Sequence, residues 1–188
     1  LSQATLPIPG IVAAVEPLTI VVAGEPCGQP RARSCVIYRF SGKKGRKVPS
    51  TRQYEDDESD GYAWKQKIIR AARKLAPNPP LDGPLRVDVF AYFARTKELL
   101  KPKYPRGPIW MPQKPDRDNM DKCVLDALTE ARVWLDDKQV CAGEPLKWYV
   151  SIDCQPGIVI KIRPLTETAE EYERLLDARA NAIAGGES

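Results

Sequence analysis

Histidine is absent from this chain of 188 residues. That absence removes the Ser-His-Asp triad, the Cys-His dyad, the His-ligated zinc site and the His general base. Any catalysis must use carboxylates, Lys, Arg, Tyr, Ser or Cys. Cys-x-x-Cys pairs are missing too. Cys27, Cys35, Cys123, Cys141 and Cys154 are odd in number and widely spaced, which excludes a zinc ribbon or a thioredoxin-like motif. They read as small buried hydrophobes in a reducing compartment. No apolar run approaches the ~18 residues of a membrane span. The segment Leu1 to Pro9 lacks a basic stretch followed by an apolar one, so no signal peptide is read there. The expectation is a soluble, cytoplasmic protein without a membrane partner. Nothing resembles a phosphate-binding glycine loop, so no nucleotide cofactor is expected.

What remains is ordinary in amount and uneven in placement. The length suits one domain of ~150 residues plus extensions. Residues 1–16 mix Pro7, Pro9 and Gly10 with Ala and Val and read as a loosely held N-terminal tail. Strands are predicted over 18–23, where a β-branched run ends at Gly24, Pro26 and Gly28, and over 33–40. Helical spacing of Trp64, Ile68, Ile69 and Ala72 predicts a helix over 62–75, stopped by Pro77 to Pro80. A strand covers 85–93. Residues 100–115 hold five prolines and the bases Lys101, Lys103, Arg106 and Lys114, a stiff basic loop. A helix over 119–132 puts Met120, Cys123, Val124, Ala127, Leu128 and Ala131 on one apolar face. Strands over 138–153 and 157–163 follow, and a helix begins at Thr168, which has capping-box spacing to Glu171. The expected architecture is mixed α/β (α+β): a small mixed sheet flanked by helices, one domain over 17–163, and a C-terminal helical extension over 164–188.

Charge is segregated along the chain. Residues 28–53 carry eight bases and no acid: Arg31, Arg33, Arg39, Lys43, Lys44, Arg46, Lys47 and Arg52. Between Asp116 and Asp137 the sign reverses, with seven acids against three bases. An acidic focus inside basic flanks is what a metal-dependent enzyme acting on a polyanion requires: carboxylates for the metal, a basic rim for phosphates. Asp118, Lys122 and Asp126 fall at i, i+4 and i+8 and share a helix face. Asp116 precedes that helix, and Asp136 and Asp137 stand where the chain turns back into a strand. Two carboxylates ~5 Å apart repel by roughly 3 kcal/mol at an effective dielectric of 20, so several together need a cation. Mg²⁺ suits oxygen ligands and keeps waters. Each piece also has a plain reading. Asp-x-Asp-Asn is a good helix N-cap, the ladder of charges is an ordinary solvated face, and Asp136-Asp137 is a turn. Trp110 in the long loop has two readings as well, packing or wedging a base step.

The motif Pro115-Asp116-x-Asp118-Asn119-x-x-Lys122-x-x-x-Asp126-Ala127-Leu128, followed by Trp134-Leu135-Asp136-Asp137-x-Gln139-Val140, resembles the RusA family of Holliday-junction resolvases. The likeness covers roughly residues 17–163 and is strongest over 114–140. It implies a Mg²⁺-dependent (or Mn²⁺-dependent) endodeoxyribonuclease of phage or prophage type that resolves four-way DNA junctions as a homodimer. The family's metal-binding acids fall on Asp116, Asp118 and Asp137, its active-site lysine on Lys122, and Asp136 is the neighbouring acid. DNA contact is expected at Arg31, Arg33, Lys43, Lys44, Arg46, Lys47, Lys114 and Arg117. The alternative is a protein that grips branched DNA without cutting it. Arg132 departs from the family, since a small residue usually precedes the aromatic there. The tails and the proline-rich loop exceed the minimal length.

Overall fold

The computed structural model describes residues 17–30, 32–41, 46–55 and 57–184. The expected tail over 1–16 lies outside the described residues, as do Arg31, Lys43 and Lys44.

The strand β1 (Leu18–Ala23) begins a mixed sheet, and a separate hairpin follows, β2 (Ala32–Ser41) with β3 (Arg46–Glu55). Helix α1 (Asp60–Arg73) leads to the central strand β4 (Leu85–Phe93), then to the short β5 (Ile109–Trp110) and helix α2 (Arg117–Glu130). The chain returns through β6 (Val140–Ala142), β7 (Pro145–Tyr149) and β8 (Gly157–Pro164), and ends in helix α3 (Ala169–Ala184). The sheet order is β1-β8-β4-β7-β5, with β6 beside the start of β4. β8 runs antiparallel to both β1 and β4, while β6 and β7 run parallel to β4. This is the mixed α+β architecture expected from the sequence.

Alternation decides which face of the sheet is covered. In β4, Leu85, Val87, Val89, Ala91 and Phe93 are buried, while Arg86, Asp88, Phe90 and Tyr92 are half-buried. Ile20 and Val22 of β1 and Ile158, Ile160 and Ile162 of β8 join the buried set. Helices α1 and α2 close over it with Trp64, Ile68, Ile69, Met120, Val124 and Leu128. On the opposite face Phe90 and Tyr92 stack on Trp148, and Trp110 tilts against Trp148 with ring centroids 5.2 Å apart. Trp110 therefore packs on one side yet stays 67% exposed.

Helix starts follow their caps. Ser59 accepts a hydrogen bond from the Tyr62 N–H, so α1 begins two residues ahead of the predicted start. Thr168 and Glu171 exchange the reciprocal bonds of a capping box at the head of α3. The strand expected over 138–153 is broken instead. A single tight turn over Asp137–Gln139 precedes β6, and Gly143 bends the chain between β6 and β7. β3 was not expected, although Val48, Thr51 and the glycines at 42 and 45 carry a hairpin signal. The basic charge of that stretch obscured it.

Arg132 is where the sequence departure becomes a structural fact. Its φ is 61°, in the left-handed region. Arg132 N–H donates to Thr129 O at 3.0 Å and Val133 N–H to Leu128 O at 3.1 Å. These two bonds, with Val133 and Leu128 both buried, make a Schellman close to α2. Glycine occupies such a position without the Cβ penalty. Arg132→Gly is expected to stabilise the fold by about 1 kcal/mol, read as a higher urea midpoint at constant slope. A lower midpoint would mean the arginine side chain contributes more than its backbone costs.

Candidate active site

The topology gathers one edge of the sheet. From Phe93 the chain crosses through α2 and comes back parallel to β4, so α2 runs against the strands and its first turn stands at their carboxyl ends. β1 is antiparallel to β8, which is antiparallel to β4, so β1 delivers the segment 24–30 to the same edge. There Gln29 N–H donates to Asn119 O at 3.0 Å, and Gln29 Nε2 donates to Asp126 Oδ2 at 2.7 Å.

The acids sort by what they are already doing. Asp116 has the extended backbone of an N-cap (φ −65°, ψ 148°), yet its side chain makes no capping bond. Asp116 is thus the N-cap by its backbone alone, and its carboxylate makes no capping bond. Asp118 and Lys122 are exposed and form no hydrogen bond or ion pair among the described residues, with each other or with anything else. Asp126 is committed to Gln29. Asp136 is committed to the turn after α2: its carboxylate accepts from Lys138 N–H at 3.1 Å, and Gln139 Oε1 accepts from the Asp136 N–H. That backbone bond, with Lys138 beside it, holds the Asp136 carboxyl below its ordinary range.

Two carboxylate stations result along α2. Asp116 and Asp118 stand at its amino end, flanked by Arg117 and Lys122. Asp136 and Asp137 line an open cleft with Asp126, Thr129, Glu130 and Lys65 toward the other end. Eight residues separate Asp118 from Asp126, about 12 Å of helix rise. Among the described residues no three of these acids, or of any His, Cys, Asp or Glu, converge into a ready-made metal cage. Asp121 faces away, in a hollow with Val87, Leu125, Val140 and Cys141, where burial raises its carboxyl above the usual range against the pull of Arg117.

The donors present at the helix start nevertheless suit a hard cation: carboxylate oxygens with no internal partner, and no sulfur or imidazole beside them. Beside Asp126, Gln29 Oε1 is a buried amide oxygen without a hydrogen-bond partner among the described residues.

Two residues that sequence reasoning missed hold this edge together. Gln29 is one. The other is Lys147 of β7, whose ammonium donates to the carbonyls of Gln113 and Pro115, just ahead of Asp116. Burial lowers Lys147 below the usual lysine range, and the Asp116 charge works against that shift. The signal was there: Lys147 lies in phase with the buried Tyr149 two residues on, so a lysine points to the covered face of a strand. Of the expected DNA contacts, Lys114 and Arg117 border the acidic pair, and Lys47 is exposed on β3. Arg33 and Arg46 are placed in β2 and β3 by their backbones.

Among the described residues no helix is long and apolar enough to cross a membrane. No curated protein matches the chain. The family model for endodeoxyribonuclease RusA matches residues 24–163, which take in the sheet from β4 to nearly the end of β8, both covering helices and every acid of the candidate site. The chain belongs to the RusA endodeoxyribonuclease family.

Proposed function

We propose that this chain is a Mg²⁺-dependent nuclease that resolves four-way DNA junctions, with Asp116, Asp118 and Asp137 as metal ligands. The RusA family consists of endodeoxyribonucleases that act on Holliday junctions. The observation that carries the metal reading is the uncommitted pair at the start of α2: Asp116 in N-cap position without a cap bond, Asp118 without a partner. Asp137 completes the set by the family resemblance, and Asp136 is its helper through the turn both share. When bound, the cation would supply an activated water and neutralise charge on the phosphate. Mn²⁺ would serve in its place. Lys122, one turn beyond Asp118, offsets the negative charge of the scissile phosphate. Lys114 and Arg117 hold flanking phosphates, contacts that position the strand without reading its sequence. We read the active species as a homodimer acting in the cytoplasm, because two-fold symmetry presents two such sites to strands of like polarity.

The test is a labelled synthetic four-way junction incubated with the protein and Mg²⁺, beside plain duplex and an EDTA control. Paired symmetric nicks that need the cation support the reading. Tight junction binding with no nicking in Mg²⁺ or Mn²⁺ would leave the non-cleaving binder instead.

Lys147 supplies a second expectation. Lys147→Met keeps the aliphatic stem but releases the two carbonyls that set the approach to Asp116. Single-turnover nicking is expected to fall on the order of 10–100-fold, with junction affinity within about twofold. An unchanged nicking rate would mean that the loop holds its shape without the ammonium.

A further inference from the structure

The β2–β3 hairpin stands apart from the sheet. Each strand has ten residues and, among the described residues, pairs only with the other, in continuous antiparallel register from Ala32↔Glu55 to Ser41↔Arg46. At about 3.3 Å per residue it is an arm some 30 Å long.

That register divides the arm into two unlike faces. Val36, Tyr38 and Phe40 share one face with their partners Thr51, Pro49 and Lys47. Val36 is 63% exposed, Tyr38 66% and Phe40 71%, so a row of large apolar groups has no cover. The Lys47 ammonium lies 5.8 Å from the Phe40 ring centroid. The other face carries Arg39 and Arg52, both exposed, with the half-buried Ile37 and the partly exposed Val48 between them. Three exposed apolar side chains in line on a free ribbon are unfavourable in water and mark a contact surface.

Charge selects the occupant. The stretch 28–53 holds eight bases and no acid. A second copy of the same arm would meet it with like charge, whereas a polyanion with apolar faces satisfies both sides of the ribbon. Nucleic acid has that chemistry: phosphates for Arg39 and Arg52, and base faces for the rings. In intact duplex the base faces are stacked and hidden. At a branch point they are open.

The segment just ahead of the arm lies against helix α2. Gln29 is bonded to Asn119 and Asp126 of α2. Gly28 approaches α2 so closely that a Cβ would lie 2.4 Å from the Asn119 amide nitrogen. DNA held along the arm is therefore presented to the helix that carries Asp118.

We propose that Tyr38 and Phe40 stack on bases exposed at a DNA branch point, making the arm the element that separates branched DNA from plain duplex. The inference rests on the junction-nuclease reading and names the part of the chain that recognises the branch. Arg39 and Arg52 serve affinity on the opposite face, without distinguishing the two forms.

The experiment uses the full chain in EDTA, so that nothing is cut, with a four-way junction bearing 2-aminopurine beside the branch point and a matched duplex. Tyr38→Ala/Phe40→Ala is expected to weaken junction binding at least tenfold, equivalent to about 1.4 kcal/mol. It should abolish the 2-aminopurine response and leave duplex affinity and its salt slope as they were. Arg39→Ala/Arg52→Ala should weaken both substrates and reduce the magnitude of the log–log salt slope by about 1.8, at 0.9 per phosphate contact. Tyr38→Leu/Phe40→Leu keeps apolar bulk without rings, and recovery of junction binding by this pair would overturn stacking. Equal loss on junction and duplex, or a change in sedimentation with DNA binding intact, would overturn the proposal in favour of a damaged arm or a protein partner. If wild type binds and, with Mg²⁺ restored, nicks junctions while the alanine pair matches it, the arm proposal alone falls. If wild type neither binds nor nicks, the nuclease reading falls and takes the arm with it.

Discussion

Asp118→Asn is expected to lower junction nicking by more than about 100-fold while junction affinity stays the same or tightens. The substitution keeps size and shape and removes one negative charge. Asp118 has no partner among the described residues, so no internal bond is lost with that charge. Its remaining structural role is the favourable placement of an acid in the first turn of α2, worth about 0.3–1 kcal/mol. A cation at this station loses a ligand, and a phosphate near it loses a repulsive neighbour. Rate and affinity therefore move in opposite directions, which a folding defect does not produce. The decisive pair of measurements is single-turnover nicking with Mg²⁺ and junction affinity in EDTA. A variant that nicks at the wild-type rate removes Asp118 from the metal set. A variant that loses binding and nicking together, with a lowered unfolding midpoint, makes Asp118 structural.

Asp137 joins that set from beyond the helix. It lines a cleft with Asp126 and Glu130 of α2. Spacing in the sequence can establish that Asp118, Lys122 and Asp126 share a helix face, because one helix sets that relation. It cannot establish how far a residue beyond the helix reaches back, because the path from Ala131 to Val140 depends on the left-handed Arg132, the buried Trp134 and the turn capped by Asp136. For the same reason the amphipathic helices and the alternating β4 were readable from pattern alone. The break between β6 and β7 was not, since it follows from packing against a strand more than fifty residues earlier. β3 was hidden by composition: a stretch dense in Lys and Arg looks like a solvated loop until a partner strand fixes its register. The roles of Lys147 and Gln29 were hidden for a related reason, although the phase of Lys147 with Tyr149 already turned it to the covered face. Each acts through backbone carbonyls or an acid that only the fold brings near.

Gly143→Ala is expected to be among the most damaging single-methyl additions in this chain. Gly143 has φ 150°, and a Cβ built there would lie 1.8 Å from Val87 O and 2.7 Å from Val87 C. Both obstacles are backbone of the central strand, with no flexible end to move aside. The bend is pinned immediately after Gly143: Val89 N–H donates to Glu144 O at 3.0 Å, and Glu144 N–H donates to Asp88 Oδ1 at 3.1 Å. Relieving the clash means pulling the β6–β7 corner off β4 and losing those bonds. Overpacking and backbone strain together put the cost at about 2–4 kcal/mol, a fall of roughly 5–15 °C in Tm for a domain of this size. The effect reaches the candidate site, because β7 carries Lys147 and the start of β6 follows the turn that bears Asp136 and Asp137. Nicking measured well below the new Tm should therefore fall further than the folded fraction does. Gly143→Ala with an unchanged midpoint would show that the corner moves freely. In that case the grip of β7 on the loop ahead of Asp116 does not depend on its seat against β4.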